Sequence, residues 1–240
     1  MLEYHCKLWV GQLVKGKMMD LKLIVFDLDG VIVDTEYLDF QLQSGYLRSI
    51  ASPSVTLGVK DFSSLVGRSG QDLLMQVKNL TQIEKTFAEI TAGLKKIEAK
   101  KYHPDNYLPL FRQDIVPLLQ YAKEQRLLLA VASSTALNYL LDILDNCGIR
   151  NYFDLIVSGE DFESSKPHPE IYLSVLKALH VAPEEAIAIE DSSAGIAAAK
   201  AAGMDVIAYE EKRFLIDQTQ ANLICKNMRA IFCHIKSLRK

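Results

Sequence analysis

The 240-residue sequence has no apolar run approaching the ~18 residues that a membrane-spanning helix needs, so no transmembrane segment is expected. It has four cysteines, Cys6, Cys147, Cys225 and Cys233, too few and too scattered for a zinc site or a disulfide framework. Reduced thiols are expected, with Cys147 acting as a small apolar helix residue. Charge of either sign is nearly balanced; a net −3 gives no electrostatic reason to expect a nucleic acid or an anionic membrane as partner. The first residues lack the basic start, apolar stretch and small-residue cleavage site of a signal peptide, which makes the cytoplasm the expected location. Met18-Met19, just before the first apolar run, leaves two readings of residues 1–20. They are either a misassigned start or a short extension packed on the core by Leu8, Trp9 and Val10. Internal repeats and low-complexity tracts are missing too.

What is present is a chain rich enough in apolar residues, at 49%, to build a sizeable core. Its length suits one large domain, or a core with a smaller partner. The stretch Leu23-Ile24-Val25-Phe26-Asp27-Leu28-Asp29-Gly30 organises the rest. An uninterrupted apolar run predicts a strand buried on both faces of a parallel sheet. The two carboxylates that end it are tolerated only at the strand's carboxyl end, where open α/β sheets bind ligands.

From Thr35 to about Tyr107 there is no convincing strand, and apolar residues recur at helical spacing. Helices are expected over Tyr37–Ile50, around Phe62–Val66, over Asp72–Asn79, and from a capping box at Thr81-Gln82-Ile83-Glu84 towards Tyr102. This reads as a small helical bundle inserted over the sheet. From Leu108 strand and helix alternate. Strands are expected at Leu127–Ala132, Leu155–Val157, Ala186–Ile189 and Val206–Tyr209, with helices between them. The tail from Glu210 reads as one or two surface helices, packed by Ile224, Ile231 and Ile235.

The strands and one following loop end in polar groups: Asp27 and Asp29; Ser133, with Ser134 beside it; Lys166; Glu190 and Asp191. In a parallel sheet all of these point to one edge. Clustered carboxylates repel one another unless a cation neutralises them, and hard oxygen ligands suit Mg²⁺. A phosphate group needs that metal, an ammonium, a hydroxyl and backbone N–H donors, which Lys166, Ser133 and the Leu28-Asp29 amides supply. A carboxylate nucleophile can then form an aspartyl-phosphate and divide one hard displacement into two easier ones.

Asp27-Leu28-Asp29-Gly30-Val31, Ser133, Lys166-Pro167 and Glu190-Asp191-Ser192-x-x-Gly195 together resemble the haloacid dehalogenase superfamily. The insert resembles the helical cap of its β-phosphoglucomutase-like and phosphatase-like members. The resemblance implies an α/β, Rossmann-like core over 21–34 and 108–240, with sheet order 3-2-1-4-5 and helices on both faces. It implies a cap over 35–107. It further implies that Asp27 is nucleophile and Mg²⁺ ligand, and that Asp29 is general acid and base with its carbonyl on the metal. Asp191 becomes the main remaining metal ligand, Glu190 a supporting one, and Ser133, Ser134 and Lys166 the phosphate binders.

Phosphatase and mutase share the first half-reaction and differ in the acceptor, which the cap selects. The cap histidine of β-phosphoglucomutases is missing, since Glu36, Leu38, Asp39 and Phe40 occupy that region. The position of their bisphosphate-binding arginine is Gly70, with Arg68 out of register. The expected function is therefore a Mg²⁺-dependent phosphatase for a small phosphate ester such as a sugar or polyol phosphate. The alternatives are a phosphosugar mutase and, from another class, a non-catalytic phosphometabolite-binding protein. Glu36, Gly67, Arg68 and Gln71 are the expected substrate contacts in the cap.

Overall fold

The computed structural model of the protein describes residues 20–66 and 70–238. The N-terminal extension expected over residues 1–20 lies outside them except for Asp20, and so do Gly67 and Arg68.

Strand β1 (Leu23–Phe26) is wholly buried on both faces, as its unbroken apolar run requires. The helical insert follows as α1 (Thr35–Ile50), α2 (Val59–Ser63), α3 (Gly70–Thr81) and α4 (Phe87–Lys101). Leu47, Ile50, Phe62, Leu65, Val77 and Ile90 gather these four helices around an apolar cluster of their own. The capping box that opens α4 is Thr86-x-x-Glu89, not Thr81-x-x-Glu84. Glu89 N donates to Thr86 Oγ1 at 3.3 Å, and Thr86 N donates to Glu89 Oε2 at 2.9 Å. Both tetrads carry the same signature. Thr81 is instead the last residue of α3, its hydroxyl donating to Val77 O, and Gln82 at φ 49° ends the helix.

The chain returns through a short α5 (Tyr107–Leu110) and α6 (Val116–Glu124), whose proline sits harmlessly in the first turn. There follow β2 (Leu128–Ser133), α7 (Leu137–Asn146), β3 (Leu155–Ser158), α8 (Glu170–Leu179), β4 (Ala186–Glu190), α9 (Ser193–Ala201) and β5 (Asp205–Tyr209). The expected strand order is present, with one strand added at the edge: β3-β2-β1-β4-β5-β6, all parallel. β6 (Leu223–Cys225) corrects the all-helical reading of the tail; α10 (Met228–Ser237) completes the chain. Three residues are too few for period-two alternation to show, and Ile224 faces outward at 43% exposure.

Alternate residues of each strand feed opposite layers. Ile24, Phe26, Leu129, Val131 and Ile189 pack on one face against α6, α7 and α10. Leu23, Val25, Ala130, Ala132 and Ala188 pack on the other against α8 and α9. Cys147 and Cys225 are free, but Cys233 is disulfide-bonded, so the reading of all four thiols as reduced fails there. Pairing depends on distance in the fold, which sequence spacing does not report.

The segment after β5 ties the insert to the sheet. Arg213 donates to both carboxylate oxygens of Asp34, at 2.8 and 2.6 Å, and lies over the Tyr37 ring. The ring of buried Phe214 stacks on Phe40 of α1 with centroids 5.1 Å apart. Leu215 N donates to Ser63 Oγ at 3.1 Å. Phe214→Ala is expected to destabilise the protein by roughly 3 kcal/mol in urea unfolding, whereas Leu215→Ala, at an exposed site, costs less than about 0.5 kcal/mol. Equal effects would mean that this segment does not carry the contact.

Candidate active site

Parallel pairing brings the carboxyl ends of the strands to one edge, and the polar strand ends meet there. Asp27 extends the ladder of β1, its amide donating to Ile189 O at 3.0 Å. The chain then turns tightly, with the amides of Ile32 and Val33 donating to Leu28 O at 2.8 and 3.0 Å. Gly30 holds φ +77° with its Cα against the Asp191 carboxylate, where any Cβ would collide. Only glycine permits both the turn and that approach.

Lys166 arrives on the loop between β3 and α8, at the end of a cis peptide to Pro167. Its ammonium donates to Asp27 Oδ1 at 2.6 Å, Glu190 Oε1 at 2.6 Å and Ala132 O at 3.0 Å, using all three donors. Burial alone would lower the lysine pKa; Asp27 and Glu190 reverse that and hold it well above the ordinary value. Ser133 ends β2, buried, beside exposed Ser134, and both line the same cavity.

The carboxylates are not equivalent. Glu190 is fully buried and saturated. Its Oε1 accepts from Lys166 and from the Tyr172 hydroxyl at 2.7 Å; its Oε2 accepts from Asp191 N, Ser192 N and Ser192 Oγ. Asp27, Glu190 and Asp191 each bring an oxygen within 4.8 Å of the others, yet Asp191 Oδ2 is buried with no hydrogen-bond partner. Burial, then the charges of Glu36, Glu190, Asp27 and Asp29, push the Asp191 pKa well above the usual carboxylate range. An orphaned oxygen in an all-carboxylate set fits a hard cation, which would relieve the cost of burying that charge. Burial likewise raises Asp27, against the pull of Lys166.

Asp29 occupies a different environment. It accepts hydrogen bonds from the hydroxyls of Thr35, Thr135 and Tyr102, and the Lys101 ammonium lies 3.1 Å from its Oδ1. Burial would raise its pKa, but Lys101 and the hydroxyls outweigh this and lower it. Lys101 also meets Glu36 at 3.2 Å and Asp39 at 3.6 Å. Burial pushes Glu36 up to about 7 despite that lysine.

Of the residues expected in the cap, Glu36 enters the cavity, whereas Gln71 is exposed on α3 and absent from the lining. Sequence reasoning missed Lys101, Tyr102, Thr35, Thr135 and Tyr172. Thr135, two residues past the end of β2, was discoverable as a hydroxyl at a strand end, and Thr35 as the hydroxyl that opens the first helix after the Asp27–Asp34 stretch. Lys101 and Tyr102 close a helix more than 70 residues from Asp29 in the chain, and no local spacing announces them.

Residues 24–209 match the model of the haloacid dehalogenase-like hydrolases, and the chain belongs to that family. It is 31% identical over 187 residues to a phosphorylated carbohydrates phosphatase of Thermotoga maritima, covering 78% of this chain and 84% of that one. It is 24% identical over 213 residues to a validoxylamine A 7'-phosphate phosphatase of Streptomyces hygroscopicus subsp. limoneus, covering 88% and 95%. Among solved structures, a β-phosphoglucomutase of Clostridium difficile superposes with a TM-score of 0.72 at 25% identity, over 91% of this chain and 96% of that one.

Burial raises the pKa of both Asp27 and Asp191, so cation binding competes with protonation and cation affinity should rise with pH. Without the cation the folded state binds more protons than the unfolded one across that raised range, so stability falls as pH climbs through it. MgCl₂ at about 100 times its Kd is expected to raise Tm by roughly 5–10 °C at pH 8 and by less at pH 6. Asp191→Asn should remove the shift at both. A wild type whose melting ignores Mg²⁺ would remove the cation from this site.

Proposed function

We propose that the protein is a Mg²⁺-dependent phosphatase that hydrolyses a small phosphorylated metabolite, of the sugar or polyol phosphate class, through an aspartyl-phosphate on Asp27. The observation that carries this is the pairing of Asp27 with the buried Lys166 ammonium at 2.6 Å, beside the orphaned oxygen of Asp191.

Asp27 and Asp191 would hold the metal, with the Asp29 carbonyl that the family resemblance implies; a bound Mg²⁺ supplies neutralising charge to the phosphoryl oxygens. Glu190, whose oxygens already serve five donors, anchors Lys166. In the first half-reaction an Asp27 oxygen forms a bond to phosphorus as the ester P–O bond breaks. The departing alkoxide takes a proton from Asp29. In the second, water attacks the aspartyl-phosphate and gives its proton to Asp29, releasing inorganic phosphate and restoring Asp27.

With Lys101 beside it, Asp29 is held ionised, the form the second step needs. The first step needs it protonated, and Glu36 and Asp39 give the lysine other partners at that stage. The helical insert acts as a cap that excludes bulk water, with hinges near Asp34-Thr35 and Leu108-Pro109.

Hydrolysis is favoured over mutase chemistry by the charges on the insert's side of the cavity. Glu36, Asp39 and Glu98 stand there against Lys101, engaged by three carboxylates, and exposed Lys95, and no arginine lines it among the described residues. A second phosphate would face three carboxylates there and only the exposed Lys95 as a cation not already shared among carboxylates.

Phosphate release from a panel of sugar and polyol phosphates with Mg²⁺ should fall by about 10³-fold or more in Asp27→Asn. In Asp29→Asn, kcat should fall by roughly 10²–10⁴-fold while Mg²⁺-dependent phosphate binding survives. Lys101→Met should move the acidic limb of the pH–rate profile upward, because Asp29 loses the charge that lowers its pKa. Conversion of β-glucose 1-phosphate to glucose 6-phosphate, stimulated by a bisphosphate, would overturn the preference for hydrolysis.

A further inference from the structure

The cavity between the insert and the sheet edge has a volume of about 380 Å³ and two chemically distinct ends. The floor is the charged cluster around Asp27 and Lys166. The opposite wall carries an apolar patch, Phe40 from α1, Phe62 and Leu65 from α2 and just beyond it, Leu73 and Leu74 from α3, and Leu94 from α4, with Gln43, Thr91, Lys95 and Glu98 as polar groups around it. Phe40, Leu73, Leu74 and Leu94 are only partly buried in the insert's own cluster, so they keep apolar surface to offer the cavity.

Hydroxyls set directly against Phe40, Leu73, Leu74 and Leu94 lose water without gaining a hydrogen bond from those side chains, which is unfavourable. An alkyl or deoxygenated face gains by the same burial. Charge argues in the same direction. The insert presents Glu36, Asp39 and Glu98, its ammonium at Lys101 is shared among Asp29, Glu36 and Asp39, and exposed Lys95 stands beside Glu98. For a second phosphate or a carboxylate on the substrate, the insert's described side offers Lys101, already shared, and Lys95, which is exposed and stands beside Glu98.

We infer that the substrate is a phosphate monoester whose organic part is uncharged and carries an apolar face, a deoxygenated or alkylated alcohol, and that the wall of Phe40, Phe62, Leu73, Leu74 and Leu94 selects it. This rests on the phosphatase reading and selects within its sugar and polyol phosphate class the members with a deoxygenated or alkylated face: bisphosphates, phospho acids and fully hydroxylated hexose phosphates become the poorer substrates.

The test uses the full chain with Mg²⁺ and three probes: hexyl phosphate, glucose 6-phosphate and fructose 1,6-bisphosphate. Binding is measured calorimetrically on Asp27→Asn, and phosphate release on the wild type. Hexyl phosphate is expected to bind at least about tenfold more tightly than either sugar and to show the highest kcat/KM, chiefly through KM. Leu74→Asn and Leu94→Asn, each checked for folding by its melting curve, should lower the hexyl-to-glucose selectivity by about fivefold or more. Equal or tighter binding of glucose 6-phosphate, or tightest binding of the bisphosphate, overturns the inference. Phosphate release from all three without preference sinks the selectivity and leaves the phosphatase standing. Preferential binding of hexyl phosphate with no release from any probe upholds the selectivity and sinks the phosphatase.

Discussion

The contact on which the site depends is the buried ammonium of Lys166, held between Asp27 and Glu190 at 2.6 Å from each. Two carboxylates at the ends of adjacent strands would otherwise repel across a dry sheet edge, where charge interactions are strong. The register makes the meeting unavoidable. β1 and β4 pair Phe26 with Ile189, so Asp27 and Glu190 leave the sheet side by side. Lys166 resolves the conflict from a loop, and Glu190 is further steadied by Tyr172 from the helix beneath and by Ser192 at the start of α9. What stays unresolved is Asp191, with one buried oxygen unpartnered. That residual imbalance is the strongest physical sign of a cation in the molecule.

The same edge holds a second carboxylate with the opposite bias. Asp29 is two residues from Asp27 and equally buried, yet its pKa is lowered where that of Asp27 is raised. The difference comes from outside the sheet: Lys101 and Tyr102 reach it from the end of α4, and Thr35 and Thr135 supply hydroxyls. On the proposed reading this separation suits one group to attack phosphorus and the other to handle the proton. It also makes the environment of Asp29 depend on the insert, which supplies Lys101 and Tyr102. The segment 211–217, through Arg213 and Phe214, helps to hold the insert there.

Much of the fold was legible in the sequence because burial writes itself into local pattern. The continuous apolar runs at Leu23–Phe26, Leu128–Ala132 and Ala186–Ile189 are strands covered on both faces, and helical spacing after Thr35 marks the insert. Local pattern erred where two signals were equally good or none was present. Thr81-x-x-Glu84 and Thr86-x-x-Glu89 carry the same capping signature, and only packing chose between them. β6 is too short to show a period.

By itself the sequence determined the parallel α/β sheet, the place of the inserted helices and the family to which the chain belongs. It did so because strand burial, helix periodicity and motif order are properties of neighbouring residues. It also put Asp27, Asp29, Ser133, Lys166, Glu190 and Asp191 at strand ends or in the loop that follows one. Only the tertiary structure decided how those groups are paired. That Glu190 is saturated, that Asp191 is left with an orphaned oxygen, and that Lys101 governs Asp29 depend on distances between residues tens of positions apart. The apolar wall above the site has the same origin: α1 to α4 each contribute a face, and no single helix announces the cavity they enclose.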